Sequence, residues 1–227
     1  MNKKAAVVAA LLVAGGVAVY FLWPRQPPPA PPAPVAESAP PTHAPDAPLP
    51  PAADSDTRIR QLFGPLSPKI AAWLQQADLL GRGVVVIDNL AEGVSPRREL
   101  GFLAPNGRFE PGQFARYDGF AEAIGSLDAQ ALAAALRALH PLLNAGYHKL
   151  GYPDREVNEV IARGLSRIAG APVVEKPALK LKGAVFVYVD QTLEDLPSVE
   201  KHLLRLGPRN ERLVQAKAKE LLAALGR

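Results

Sequence analysis

The chain has 227 residues, 24 of them proline and none cysteine, and 26 Lys and Arg residues exceed 22 Asp and Glu to give a net charge of +4. Without cysteine, the chain can form no disulfide, thiolate metal site or cysteine nucleophile. The basic residues are interspersed with acidic ones, so the charge pattern does not indicate binding to nucleic acid. The length suits one folded domain with additional segments.

The amino-terminal segment predicts a membrane anchor. Residues 5–23 carry no charge and end in a cluster of aromatic residues, and about 20 apolar residues suffice for a helix to span a bilayer. Two lysines lie within residues 1–4 whereas only Arg25 follows closely, a bias that favours a cytoplasmic amino terminus. We therefore expect a single-pass inner-membrane protein with its carboxy-terminal domain in the periplasm. The alternative is a cleaved signal peptide, for which the small residues of 14–18 suit a cleavage site.

A proline-rich linker is predicted to follow the anchor. Residues 24–55 contain 13 of the 24 prolines, and alanine is the next most frequent residue, with eight. Such a composition favours extended polyproline II structure and cannot bury a core. The linker is interpreted as a spacer, and the alternative is a ligand for a proline-binding module. Residues 56–227 then form the folded domain.

The folded domain is predicted to be a compact multi-helix domain, mainly α with a small β element. A helical pattern runs from about residue 58 to 76. Residues 79–91 contain the run Val-Val-Val-Ile, which suits either a helix or a buried strand, and the flanking leucines favour a helix. Residues 92–116 are rich in Gly, Pro and Arg and predict a long irregular loop.

Two further helices are predicted after this loop. Asp128 is expected to cap the first, whose leucines recur at helical spacing, and Pro141 should kink or split it. The second is expected to begin at Pro153, with acidic residues in its first turn. Gly170 should lie just beyond its end, at the C′ position.

One strand is predicted within this otherwise helical domain. Residues 185–189 read Val-Phe-Val-Tyr-Val, a β-branched and aromatic run that is typical of a strand. A strand without a partner is unstable. Its partner is therefore expected within residues 84–87, 101–112 or 172–182.

The carboxy-terminal part predicts a capping box and two helices. Thr192 is expected to open the capping box, because an acidic residue follows three positions later. Helices are expected over 198–206 and 208–225. Gly207 and the proline after it should separate the two helices.

No catalytic, metal-binding or cofactor-binding motif emerges from the sequence. Ser198 and Lys201 match the S-x-x-K signature of serine acyl-transferases, but its S-D-N and K-T-G companions are missing. No close set of histidines and carboxylates predicts a metal, and no cofactor is expected. An enzyme that cleaves cell-wall glycan or peptide would need two converging carboxylates. Asp88 with Glu99 or Asp190 would be the candidates.

Basic residues gather at the junction of the last two predicted helices. They are Lys201, Arg205, Arg209 and Arg212. Free backbone N–H groups at the start of a helix could join them in binding an anion, so an anion or small-ligand sensor is one functional hypothesis. The alternative is a solvated helix end, where a cation such as Arg205 is favourable for stability alone.

Several short motifs together resemble a known family. They are Val-Ile-Asp-Asn-Leu-Ala at 86–91, Ala-Arg-Tyr at 115–117, Tyr-His-Lys-Leu-Gly-Tyr-Pro at 147–153 followed by Asn158, Val-Tyr-Val-Asp at 187–190, Leu-Glu at 193–194, and Lys-His-Leu-Leu-Arg-Leu-Gly-Pro-Arg-Asn at 201–210. In this order they resemble the bacterial domain-of-unknown-function family 3014. The resemblance covers about residues 57–225 and implies the same layout of membrane anchor and Pro/Ala-rich tether. Since that family has no assigned activity, it implies no functional residue.

These features favour a protein-interaction or scaffolding module of the cell envelope over an enzyme. A tether raises the local concentration of a binding domain near the membrane. The expected partner is an envelope protein, with peptidoglycan as the second choice. The predicted contact surface consists of polar and aromatic residues near helix breaks, namely Arg116, Tyr147, Tyr152, Asn158, Arg205 and Asn210.

Overall fold

The computed structural model of the chain describes residues 52–103 and 110–227. The predicted membrane anchor and almost all of the predicted linker lie outside these residues. Within the described residues, no helix is both long enough and apolar enough to cross a membrane. The predicted fold class is confirmed, because helices make up most of the described chain and one two-stranded sheet accompanies them.

The described part of the chain contains ten α-helices, three short 3-10 turns and one β-hairpin. The helices are α1 (Ala52–Phe63), α2 (Pro68–Trp73), α3 (Leu79–Ala91), α4 (Arg97–Leu100), α5 (Asp118–Gly125), α6 (Ala129–His148), α7 (Val157–Gly170), α8 (Gln191–Glu194), α9 (Ser198–Leu206) and α10 (Pro208–Ala224). The strands are β1 (Leu179–Lys182) and β2 (Val185–Tyr188). The 3-10 turns are Gly64–Leu66, Gly101–Leu103 and Phe114–Tyr117.

The hydrophobic core is built around α7, which packs against both α3 and α10. α10 in turn packs against α5 and α6. A Cβ atom at Gly164 would lie 3.3 Å from the Cβ of Leu90, so the missing side chain lets α3 and α7 approach closely. The apolar face predicted for α7 is buried as expected, at Val157, Val160, Ile161, Leu165 and Ile168.

The first helix begins at Ala52, four residues before the predicted start of the folded domain. The reason lies in Asp56, which is only 5% exposed. Its Oδ1 accepts a hydrogen bond from the backbone N–H of Leu79 at 2.7 Å, and its Oδ2 accepts one from the N–H of Asp78 at 3.0 Å. Asp56 therefore caps the amino terminus of α3 and fixes α1 to it.

The helical pattern predicted over 58–76 is divided by its two prolines. A proline lacks the backbone N–H that continues a helix. The chain therefore leaves α1 through a 3-10 turn that contains Pro65, and α2 starts at Pro68. Ser67 caps α2, because its hydroxyl accepts a hydrogen bond from the N–H of Lys69 at 3.2 Å.

The segment between α3 and α5 contains more structure than predicted. The helix expected over 79–91 is confirmed as α3, but the long loop expected over 92–116 includes α4 and two of the 3-10 turns. Leu100, which is fully buried, and Tyr117, which is 3% exposed, hold this segment against the core. These anchors are too far apart to produce a helical period in the sequence.

Helix α6 is capped as predicted and is not split by its proline. Asp128 Oδ1 accepts a hydrogen bond from the N–H of Ala131 at 2.7 Å. The helix continues through Pro141 over its 20 residues. Pro141 is exposed, so water can bond to the carbonyl that the proline leaves without its helical donor.

Helix α7 begins at Val157 rather than at Pro153, so the predicted start is wrong. The side-chain oxygen of Asn144 accepts a hydrogen bond from the N–H of Val157 at 2.9 Å. This contact gives a backbone N–H group in the first turn of α7 an acceptor on α6, and so fixes where α7 starts. Gly170 is the last residue of α7 instead of the first one beyond it.

The predicted strand pairs within a local hairpin. Its partner β1 lies in the last of the three expected ranges, 172–182, and the pairing is antiparallel with Leu179 opposite Tyr188. Gly183 in the connecting turn has φ of 61°, a left-handed conformation that favours glycine. The hairpin is therefore a short element attached to a helical body.

The last two helices follow the prediction in their positions, whereas the short helix α8 was not predicted and its cap differs from the expected one. Asp190 caps α8, since its Oδ1 accepts a hydrogen bond from the N–H of Thr192 at 2.8 Å, so Thr192 is not the cap. The helix predicted over 198–206 is confirmed as α9. The helix predicted over 208–225 is α10, which ends at Ala224.

Candidate functional site

A pocket of about 300 Å³ lies between the hairpin and the junction of α9 with α10. Its charged lining residues are Arg205, Lys176 and Glu175. Small-molecule and peptide sites in proteins typically combine apolar walls with a few polar groups. The apolar part of the lining comes from Pro111, Phe114, Pro177, Leu179, Tyr188 and Leu204.

The junction of α9 and α10 is shaped by a glycine. Gly207 has φ of 85°, and a Cβ atom there would lie 2.7 Å from the Cβ of Phe114. The aromatic side chain of Phe114 therefore packs directly on the backbone of Gly207. Pro208 begins α10, where its fixed φ suits the first turn. The tight turn keeps Arg205, in the last turn of α9, beside the pocket wall formed by Phe114.

Asn210 supports the part of the pocket wall that Phe114 forms, through hydrogen bonds to its backbone and to neighbouring residues. It is 1% exposed, and its side-chain nitrogen donates hydrogen bonds to the carbonyl of Phe114 at 3.1 Å and to Asp118 Oδ1 at 2.8 Å. The same nitrogen lies 3.1 Å from the carbonyl of Leu206. Asn210 therefore joins the end of α9 to the 3-10 turn that carries Phe114.

Two buried tyrosines lie near the guanidinium of Arg205. Burial raises the pKa of Tyr188 to about 12, and Arg205 opposes that rise. Burial likewise raises the pKa of Tyr117, which Arg116 and Arg205 oppose. Both phenols are therefore neutral at ordinary pH and present hydroxyl groups. The hydroxyl of Tyr117 is buried and has no hydrogen-bond partner among the described residues.

A buried acid lies in the first turns of α10, near Tyr188. Glu211 is fully buried, and neither of its carboxyl oxygens has a hydrogen-bond partner among the described residues. Burial raises the pKa of Glu211 to about 8, although the charge of Arg212 lowers it. Glu211 also helps to raise the pKa of Tyr188, which places its charge close to the pocket wall.

Lys201, Arg209 and Arg212, which are predicted to bind an anion, contact carboxylates of this chain. Lys201 Nζ lies 3.4 Å from Glu194 Oε1. Arg209 lies 2.8 Å from Glu122, and Arg212 contacts Glu175. Arg205 lines the pocket and hydrogen-bonds with the side chain of Tyr188. The structure therefore separates the roles of residues that the sequence presents as one cluster.

A second network lies where α6 connects to α7. The hydroxyl of Tyr147 donates a hydrogen bond to Asp88 Oδ1 at 2.8 Å. The rings of Tyr147 and Tyr152 stack with centroids 5.2 Å apart, and the guanidinium of Arg155 lies 4.8 Å from the Tyr152 centroid. Burial and the bond to Asp88 raise the pKa of Tyr147 to about 12. This network ties α3 to the turn before α7.

The six predicted contact residues fall into two groups. Arg116, Arg205 and Asn210 lie around the pocket and its supporting turn. The other three lie at the connection of α6 and α7, where Tyr147 is fully buried, Tyr152 is partly exposed and Asn158 is exposed. Tyr147 and the buried Asn210 hold the fold together from inside, so their side chains offer no contact surface in this structure.

The candidate catalytic residues have structural partners. Ser198 Oγ accepts a hydrogen bond from the N–H of Ser95 at 2.8 Å, while Lys201 Nζ donates to the carbonyl of Glu194 at 2.6 Å. Asp88 bonds to Tyr147 and Asp190 caps α8. Across residues 52–103 and 110–227, no group of three or more histidine and acidic side chains is placed to hold a metal ion.

One histidine is held in its neutral form. His202 is 3% exposed, and its Nδ1 hydrogen-bonds with the hydroxyl of Ser95. Burial lowers its pKa well below the ordinary value, and the nearby cations Arg205, Arg97 and Lys201 lower it further. The contact joins the segment after α3 to α9 and gives His202 a structural role.

The sequence did not point to Phe114, Tyr188 or Glu211 as parts of a site. Phe114 lies in a segment predicted to be irregular, and Tyr188 belongs to the predicted strand and to the family motif at 187–190, neither of which predicts a binding site. Glu211 lies in an amphipathic helix, at a position where a charged residue is expected to face solvent. The one local signal was the Gly-Pro step at 207–208, which marks the tight junction on which the pocket depends.

The described chain is thus a mainly helical domain with a ligand-sized pocket beside a small hairpin. It belongs to the family of proteins of unknown function designated DUF3014, whose family model matches residues 79–222. The match includes the pocket and the network around Tyr147. No curated protein and no solved structure matches the chain.

Proposed function

We propose that this protein is a single-pass inner-membrane protein whose periplasmic domain docks onto a protein of the cell envelope. The docking surface consists of the pocket together with the adjoining face of the hairpin. The uncharged segment 5–23 and the proline-rich segment 24–55 support the anchored and tethered layout. A tether of this kind holds the docking surface at high effective concentration near the membrane.

The observation that carries this proposal is an apolar hairpin face that continues from the pocket. Because strand residues alternate between faces and pair across the ladder, Leu179, Leu181 and their partners Phe186 and Tyr188 share one face. Leu179 and Tyr188 line the pocket, and Leu181 is 62% exposed. Exposed apolar surface that adjoins a pocket is typical of a binding site.

Photo-crosslinking in cells tests the docking surface. Leu181 is replaced by benzoylphenylalanine in the full chain, and the matched control carries the same replacement at Val94, which is 49% exposed and lies between α3 and α4. We expect a discrete adduct to one envelope protein from position 181 and none from position 94. The absence of an adduct from position 181, or the same adducts from both positions, would contradict the proposal.

A single cysteine tests the proposed topology. Because the chain has no cysteine, Lys219→Cys at an exposed position of α10 provides one reactive thiol. We expect a maleimide that cannot cross the inner membrane to label this thiol in cells with a permeable outer membrane. Labelling that required lysis of the inner membrane would place the domain in the cytoplasm instead.

A further inference from the structure

The pocket has the chemistry of a site for an apolar group that carries one carboxylate. Its volume of about 300 Å³ is at the lower end of the range for ligand sites, enough for one side chain with its end group rather than a large molecule. Phe114 and Tyr188 supply aromatic wall, and Leu204 adds aliphatic surface. Arg205 supplies a guanidinium, whose planar fork matches the two oxygens of a carboxylate.

The charges around the pocket also favour an anionic group. Lys176 lines the pocket with Arg205. Glu175, the carboxylate among the described lining residues, contacts Arg212 on α10. The field at the pocket mouth is therefore positive on balance, which attracts a negative group and repels a cation.

The hairpin face gives the ligand a direction. A chain whose last side chain filled the pocket would bring its carboxylate to Arg205. Its preceding residues would then leave along the face that carries Leu181 and Phe186. A large polar ligand would gain no binding free energy from contact with this apolar face. A polypeptide end with apolar residues would bury its own apolar surface together with that of the hairpin.

We propose that the pocket binds the carboxy terminus of a partner protein, with the terminal carboxylate on Arg205 and the last apolar side chain between Phe114 and Tyr188. This inference rests on the docking function proposed above and specifies which part of the partner is recognised. Asn210 and Gly207 act as positioning residues, since they hold the wall at Phe114 and do not touch the ligand.

Peptide binding to the full chain in detergent micelles tests this recognition. The probes are dye-labelled pentapeptides Gly-Ser-Gly-Ser-X, where X is leucine, phenylalanine or alanine, each with a free carboxylate or a carboxamide end. We expect the leucine or phenylalanine acid to bind at least tenfold more tightly than its carboxamide. In Arg205→Gln this ratio should fall to nearly one, whereas Arg163→Gln, which changes a half-exposed cation of α7 outside the pocket lining, should retain it.

The wild-type comparison of acid with carboxamide does not depend on how well any variant folds. Arg205→Lys provides a second test, because it keeps the charge but loses the fork, and we expect an intermediate ratio. Equal binding of acid and carboxamide, or no binding of any of these peptides, would overturn the inference. Binding only to a peptidoglycan stem peptide that ends in two D-alanines would also overturn it in favour of a cell-wall ligand.

The inference and the docking function can fail separately. In cells, the adduct formed from position 181 should be lost when Arg205→Gln is added and kept when Arg163→Gln is added. An adduct that persists in Arg205→Gln would leave the docking function intact and remove the role of the carboxylate. An adduct absent from the wild-type background would contradict the docking function itself.

Discussion

The side chain of Phe114 fills the space that a side chain at Gly207 would need. A Cβ at position 207 would lie 2.7 Å from the Cβ of Phe114, and the backbone there has φ of 85°. Steric overlap and a left-handed conformation thus coincide at one residue. The junction of α9 and α10, and with it the wall of the pocket, depends on the absence of this side chain.

Gly207→Ala should therefore destabilise the domain by about 2–4 kcal/mol, because overlap and backbone strain add. It should also weaken peptide binding, since Phe114 must move. The matched control is Gly170→Ala, because no atom lies within 4 Å of a Cβ there and its φ is ordinary. Chemical unfolding of both variants measures the difference. Equal stabilities would show that the junction relaxes without cost.

Glu211 should make the stability of the domain fall as pH rises. Its pKa is about 8 in the folded domain against an ordinary value of 4.5. The folded state therefore holds the proton more tightly than the unfolded chain between these values, and stability decreases by up to about 1.4 kcal/mol for each pH unit in that window. Below pH 4.5 and above pH 8, Glu211 does not make the stability of the domain depend on pH.

Glu211→Gln isolates the effect of this carboxyl group. Relative to the wild type, the variant should gain stability steadily as pH rises from 4.5 to 8. Glu159→Gln, at an exposed position of α7, is the matched control for the loss of one carboxylate. Urea unfolding at several pH values provides the measurement. A flat difference for Glu211→Gln would show that the carboxylate finds partners when it ionises.

The sequence predicts the helical elements well where their own periodicity decides them. The apolar face of α7 follows from spacing, while the flanking leucines indicate α3 and the Gly-Pro step at 207–208 indicates the end of α9. The start of α7 does not, because Asn144 on another helix supplies the acceptor for Val157. The same holds for the start of the domain, where Asp56 caps a helix that begins 23 residues later in the chain.

The candidate site is less predictable for the same physical reason. The sequence selects Arg205 and its neighbouring cations by charge, but it cannot show that Arg212 contacts Glu175, since that contact joins residues 37 apart. Nor can it bring Phe114 against Gly207. A pocket whose walls come from separate segments depends on tertiary contacts, which local patterns do not contain.

The hydrogen bond from Tyr147 to Asp88 should contribute about 1 kcal/mol to stability. Tyr147→Phe removes the hydroxyl but keeps the ring, which stacks on Tyr152 with a centroid distance of 5.2 Å. A double-mutant cycle with Asp88→Ala should give a coupling of about 0.5–1.5 kcal/mol. Additive losses in the cycle would show that water replaces the bond without cost.

The ion pair between Arg167 and Glu200 should matter far more than its exposed neighbours. Arg167 Nη1 lies 2.8 Å from Glu200 Oε1, and the Glu200 side chain is only 9% exposed. Arg167→Met leaves this carboxylate buried without its partner, and we expect a loss of about 3–5 kcal/mol in the free energy of unfolding. Changing both residues to methionine should restore most of the lost free energy of unfolding, because no uncompensated charge then remains.

The matched control for this ion pair is Arg163→Met on the same helix. Arg163 lies 3.9 Å from Glu92, and each side chain is 48% exposed. Water solvates both charges at this distance, so the loss should stay within about 0.5 kcal/mol. Urea unfolding of the three variants at one pH compares them directly. Similar losses for Arg163→Met and Arg167→Met would show that burial does not strengthen the Arg167 contact.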